Sequence, residues 1–142
     1  MSVNQPQYAG VLLVTNDGQL MLQQRDTAAE AENPGTISFF GGAVEPNEQP
    51  IEAALREIEE ELNLKLQPND LTFFRQYRKT LEQHGKEVDC YIYLAKNIDP
   101  TKASLNEGEK IIYIRSLAET TKLKLSTLAQ EVISDYFIGI NN

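Results

Sequence analysis

The chain has 142 residues, of which 13 are basic and 21 acidic, for a net charge of −8. That length suits one domain with a substantial core, and the acidic excess argues against duplex nucleic acid, whose partners gather Lys and Arg. No apolar run is long enough to span a membrane, no basic-apolar leader opens the chain, and the lone Cys90 cannot form an internal disulfide, so the expectation is a cytoplasmic protein.

In chain order, Tyr8 to Thr15 and Gln19 to Arg25 read as strands joined by Asn16-Asp17-Gly18, a hairpin signal. Thr36 to Phe40 predicts a strand delivering a turn at Gly41-Gly42, because glycine serves wherever unusual backbone angles are needed. Ile51, Leu55, Ile58 and Leu62 recur at intervals of four, three and four residues, which predicts a helix over Pro50 to Leu62 with these four as its buried stripe. Leu71 to Lys79 and Glu87 to Ala95 predict a second hairpin. Within it Val88, Cys90, Ile92 and Leu94 alternate onto one face, so Cys90 reads as a packed thiol and not a nucleophile. Lys110 to Arg115 predicts a further strand, and Leu128, Val132, Ile133 and Phe137 place a second helix over Ser126 to Phe137. The mixture fits an α/β or α+β class in a single domain, residues 1–142, with Pro34-Gly35 and Asn97 to Gly108 as its longer loops.

The first helix carries the chemistry. Glu57, Glu60 and Glu61 lie off its apolar stripe at spacings of three and four residues, where side chains stand about 5–6 Å apart and carboxylates can converge on one cation. Left to themselves they repel, by about 0.2–0.5 kcal/mol per pair on an isolated helix. Mg²⁺ suits such a set, since it takes a few carboxylates and completes its shell with water and substrate phosphate oxygens. A glutamate-rich face in an acidic protein is by itself ordinary solvated surface. The register with Gly42, Glu48 and Arg56 is what lifts it above that.

From Gly42 five residues intervene before Glu48 and seven more before Arg56, followed by Glu57, apolar Ile58, Glu60, Glu61, Asn63 and apolar Leu64. This run of 23 residues resembles the Nudix box of the MutT-like Nudix hydrolases. Asn63 stands where the box has a glycine, and Asn is the next-best residue for a left-handed helix cap. Phe40 and Ile37 stand where many members carry proline and tryptophan, a difference that bears on substrate type. The resemblance implies an α/β/α Nudix sandwich with a mixed sheet. It implies metal ligation by the Gly42 carbonyl, Glu60 and Glu61, with Glu57 as a further ligand or as catalytic base. It assigns Arg56 to orienting the box glutamates and Glu48, behind the Gly41-Gly42 pair, to supporting the loop. A glutamate from a later loop often joins as ligand or base, for which Glu107 is the best-placed residue and Glu109 the alternative.

The implied activity is Mg²⁺-dependent hydrolysis, with Mn²⁺ as a substitute, of a pyrophosphate bond in a nucleoside diphosphate linked to another moiety: a nucleotide sugar, a dinucleotide, or an ordinary or oxidised nucleoside triphosphate. Glu57 or Glu107 would take the proton from water and a monophosphate would leave. The acidic whole repels such a substrate at long range, so metal must reverse the sign locally. Arg25 is placed to touch a phosphate, although an exposed strand-end arginine fits the same pattern. Phe39 is one of several aromatic residues that could stack a base, and most of these read as core. His84 sits in a turn with no second histidine for zinc. The competing reading is a non-catalytic nucleotide sensor on the same fold, which predicts lost box acids, and none is missing. Family members often pair, which makes a homodimer an expectation.

Overall fold

A computed structural model of the protein describes residues 6–24, 36–81, 85–105 and 110–140; Arg25, His84, Glu107 and Glu109 lie outside these segments. Strand β1 (Gln7–Thr15) organises the rest. Its alternation sends Leu12 and Val14 to one side and Ala9, Val11 and Leu13 to the other, all buried, which marks a strand covered on both faces. One edge pairs in parallel with β6 (Lys86–Ile98), from Gln7 opposite Asp89 to Thr15 opposite Ile98. The other edge is shared. Tyr8 to Val11 pair with β4 (Phe40–Ala43), and Leu13 and Val14 pair with β2 (Leu20–Gln24), both antiparallel. Beyond β2 lies β7 (Lys110–Ile114), while the end of β2 also pairs with the short β3 (Ile37–Ser38). Strand β5 (Thr72–Leu81) closes the other side against β6 and completes a seven-stranded mixed sheet.

Two helices sandwich this sheet. Helix α1 (Pro50–Leu62) begins with proline at its first position, where the missing N–H is no loss, and Glu52 accepts a 2.7 Å hydrogen bond from the Gln49 backbone N–H. It ends as expected on Asn63, which adopts φ 56° and donates its N–H to the Glu59 carbonyl at 2.9 Å. The buried stripe is displaced around the helix from the one the periodicity predicts. Ala53, Ala54, Ile58 and Leu62 are buried, and Ile51 and Leu55 only pack against the margin. Small alanines let the helix axis come close to β4 and β1, and an Ile at either place would hold it off. Helix α2 (Thr127–Ile140) covers the other face with Ala129, Val132, Ile133, Tyr136 and Phe137. Ser126 caps it, its Oγ accepting from the Ala129 N–H at 3.2 Å.

Three expectations change. Gly41 and Gly42 do not form a turn after a strand; they are inside β4, and the chain breaks at Phe39, where it exchanges β2 for β1 as partner. Strand β6 continues past Ala95 to Ile98, which it can do because Asn97 tolerates φ 60°. Phe39 is 1% exposed in the α2-side core and packs edge-on against Tyr8 at 6.2 Å between centroids, so its ring offers no surface to a base. Cys90 is buried, and burial pushes its thiol up to about 11, as befits a packed strand residue. Among the described residues no helix is long and apolar enough to cross a membrane.

Candidate active site

Strand β4 and helix α1 meet at the glycine pair. Gly42 lies opposite Ala9 and Gly41 opposite Gly10 in the β1 register. A Cβ on Gly42 would stand 2.3 Å from the Glu57 carboxyl carbon and within 2.7 Å of both its oxygens, so the absence of a side chain is what lets Glu57 reach the strand. A Cβ on Gly41 would meet backbone instead, at 2.3 Å from the Ala9 carbonyl oxygen.

Arg56 organises the outer side of this junction. Its Nε donates to Glu48 Oε2 at 2.7 Å and its Nη2 to Glu48 Oε1 at 2.9 Å, a two-pronged pairing. The same guanidinium reaches Glu57 Oε2 at 2.9 Å, the Ala43 carbonyl at 3.0 Å, Glu45 Oε1 at 3.2 Å and, more loosely, Glu60 at 3.4 Å. Glu48 also accepts from the Glu45 N–H at 2.9 Å, so the loop between β4 and α1 is tied to the helix through one carboxylate. Pairing with Arg56 and this backbone donor lower the Glu48 carboxyl to about 2, and the Arg56 guanidinium is raised in return. Glu57 behaves oppositely. Burial raises it above the usual carboxylate range despite the adjoining Arg56 charge.

Glu61 turns inward. One oxygen accepts the Gly41 N–H at 3.1 Å, and the other accepts Gln23 Nε2 at 3.0 Å. Glu60 points outward at 58% exposure and lines, with Arg56, Glu59 and Asn63, an open cleft of about 420 Å³. The three helix acids are therefore side by side but each has its own partner; among the described residues no three acidic, His or Cys side chains are gathered closely enough to hold an ion together. Helical spacing puts them on one face and says nothing of what each meets across the groove. Repulsion is relieved here by Arg56, Gly41 and Gln23.

Two residues of this region escape sequence reasoning. Gln23 is one, although a polar residue two positions after the core-facing Met21 in an apolar strand is a readable signal. Asn63 is the other in its second role: its Nδ2 donates to Ser104 Oγ at 2.8 Å and to the Ser104 carbonyl at 3.3 Å, while the Ser104 N–H reaches the Leu62 carbonyl at 2.9 Å.

A seven-stranded mixed sheet between two helices, with an acid-rich helix laid against a glycine strand, defines an α/β/α sandwich of one recognisable type. The NUDIX domain model matches residues 5–134, and the chain belongs to the Nudix family. It is 38% identical over 53 residues to a CTP pyrophosphohydrolase of Escherichia coli strain K12, covering 37% of this chain and 38% of that protein. It is 34% identical over 89 residues to an uncharacterised Nudix hydrolase of Rhodococcus erythropolis, covering 60% of this chain and 48% of that one. The chain thus spans less than half the length of either relative. The structure of the Escherichia coli dihydroneopterin triphosphate pyrophosphohydrolase superposes with a TM-score of 0.74 at 17% identity, covering 94% of this chain and 95% of that one, which shows a shared fold.

Proposed function

We propose that this protein is a cytoplasmic, Mg²⁺-dependent pyrophosphohydrolase of small nucleotides in which a nucleoside diphosphate is linked to another moiety, with Mn²⁺ as a substitute metal and a monophosphate product. The observation that carries this reading is the Gly42–Glu57 contact: a partly buried carboxylate is pressed against a strand glycine and steadied by Arg56. The donors available here, the Gly42 carbonyl with Glu57, Glu60 and Glu61, are all oxygen, which fits a hard cation and not zinc. When bound, Mg²⁺ would neutralise phosphate oxygens and lower the pKa of a coordinated water. The residues supply the remainder. Glu57, whose carboxyl pKa is raised by burial, is one candidate to take a proton from water, Glu107 is the alternative base, and Arg56 fixes the angle at which Glu57 is presented. Pyrophosphate-bond cleavage is named for one relative and for one structural neighbour, each acting on a triphosphate by its name, which supports the substrate class. Arg25 is kept as a phosphate contact.

The test is product release from a panel of nucleotide sugars, dinucleotides and ordinary and oxidised nucleoside triphosphates, in Mg²⁺ or EDTA. Turnover should require metal and fall at least about 100-fold in Glu60→Gln. Silence across the panel with saturable nucleotide binding would replace this reading with the sensor one.

The Asn63–Ser104 contact ties the end of α1 to a residue three positions before Glu107 in the sequence. Asn63→Gly keeps a residue content with the left-handed cap but removes both side-chain bonds to Ser104. Thermal stability should change little, since glycine's ease in the left-handed cap offsets the lost bonds, while kcat falls by roughly 2–10-fold if the tether holds the following segment for the reaction. An unaltered kcat would remove the contact from any role in the reaction.

A further inference from the structure

Gln23 is 1% exposed, on the same face of β2 as the α1-side core residue Met21. Its Nε2 donates to Glu61 Oε2 at 3.0 Å and to the Phe39 carbonyl at 3.3 Å. Its Oε1 is fully buried and has no hydrogen-bond partner among the described residues. Burying an unsatisfied acceptor is unfavourable; an apolar side chain here would remove that penalty while taking the Nε2 donor from the Phe39 carbonyl and from Glu61. The amide also cannot turn over to relieve it, because Oε1 would then face both the Phe39 carbonyl and the Glu61 carboxylate. What the position gains from glutamine is the Nε2 donor alone.

Glu61 is thereby gripped at both oxygens, by the Gly41 N–H on one and by Gln23 on the other. Two donors from two different strands fix the plane of the carboxylate as well as its position, and so the direction in which it can be presented to a cation. We infer that Gln23 is a positioning residue for divalent-metal binding, acting through the Glu61 carboxylate while making no contact with substrate. This rests on the metal-dependent reading proposed above.

The experiment is Mn²⁺ titration followed by electron paramagnetic resonance, without nucleotide, on wild type, Gln23→Leu, Glu61→Gln and the double variant, with thermal melts of each in EDTA. Gln23→Leu should weaken Mn²⁺ binding by about 10–100-fold, the usual effect of losing a group that orients a ligand. Its melting temperature in EDTA should stay close to that of wild type, because removal of the unsatisfied Oε1 offsets the loss of the Nε2 bonds. In the Glu61→Gln background the same change should alter Mn²⁺ affinity by no more than about twofold, because the carboxylate through which it acts is gone. A role in packing alone predicts the reverse, a lower melting temperature with unaltered Mn²⁺ affinity, and that outcome overturns the inference. So does an equal loss of affinity in both backgrounds. Wild type that binds no Mn²⁺ overturns the metal reading itself, and this inference with it. Should Gln23→Leu fail to fold, Gln23→Met, with a more flexible chain and again no donor, must show the same affinity loss.

Discussion

Gly42→Ala is expected to fold with nearly wild-type stability and to lose turnover by at least about 100-fold, the scale set by displacing a catalytic group by about an ångström. The added methyl would collide with the Glu57 carboxyl group, 2.3 Å away, which is the free end of a flexible side chain and can swing aside. Folding tolerates that movement and the chemistry does not. Gly41→Ala is expected to fail in the opposite sense. There the methyl meets the Ala9 carbonyl oxygen at 2.3 Å and the Gly10 Cα at 2.6 Å, so β4 must lift off β1, at a cost of about 1–3 kcal/mol or more. Urea melts and steady-state kinetics on the two variants separate these effects. Equal loss of stability in both would mean that Glu57 cannot move, and equal retention of activity would detach the carboxylate from the reaction.

The second large effect belongs to Arg56. Arg56→Ala leaves Glu45, Glu48, Glu57 and Glu60 facing one another around a lost cation. A fully buried pair broken in this way costs about 3–5 kcal/mol; the Arg56 side chain is 26% exposed, and about 2–3 kcal/mol is the expected loss. Lysine should restore little of it, since an ammonium cannot engage both Glu48 oxygens while holding Glu57 and the Ala43 carbonyl. The pH dependence gives a sharper signature. Glu48 is lowered from 4.5 to about 2, so its stabilising contribution is complete above pH 4.5 and is lost as pH falls through the interval down to about 2. In Arg56→Ala that acid limb of stability should flatten. Glu57 carries the other sign: its pKa is already raised by burial, and removing the arginine that lowers it raises it further. With Glu57 as base, the acid limb of kcat/KM then moves to higher pH; a limb that stays in place assigns the base elsewhere.

Local signals were legible where local physics decides the outcome. The helix over Pro50 to Leu62, its left-handed stop at Asn63 and the turn at Asn16-Asp17-Gly18 all depend on neighbours a few residues away. The glycine pair was misread as a turn because its conformation is set by a change of strand partner at Phe39, a tertiary event with no local mark. The same holds in the site. The spacing of Glu57, Glu60 and Glu61 placed them on one helical face, but their orientations depend on Gly42, Arg56, Gly41 and Gln23, and only Arg56 is on the same helix. Gln23 comes from a strand 38 residues before Glu61, and Ser104 lies 41 residues after Asn63. The predicted stripe of Ile51 and Leu55 gave way to Ala53 and Ala54 because hydrophobicity reports what can be buried, whereas closeness of approach selects the smallest side chains.

The shared edge of β1 also sets when, during synthesis, this site can exist. Both glycines, Arg56 and the helix acids have all been translated by Leu64, and a ribosome-bound chain of that length carries the whole motif. It has no platform for it. Strand β4 hangs on β1, and the far edge of β1 is satisfied by β6, with Tyr8 opposite Cys90 across 82 residues of sequence. Parallel pairings over such separations close slowly, since loop entropy is lost before the contacts return it. A nascent chain should therefore present its acidic helix well before it can aim Glu57 and Glu61, and competence arrives in one late step, when the parallel ladder zips.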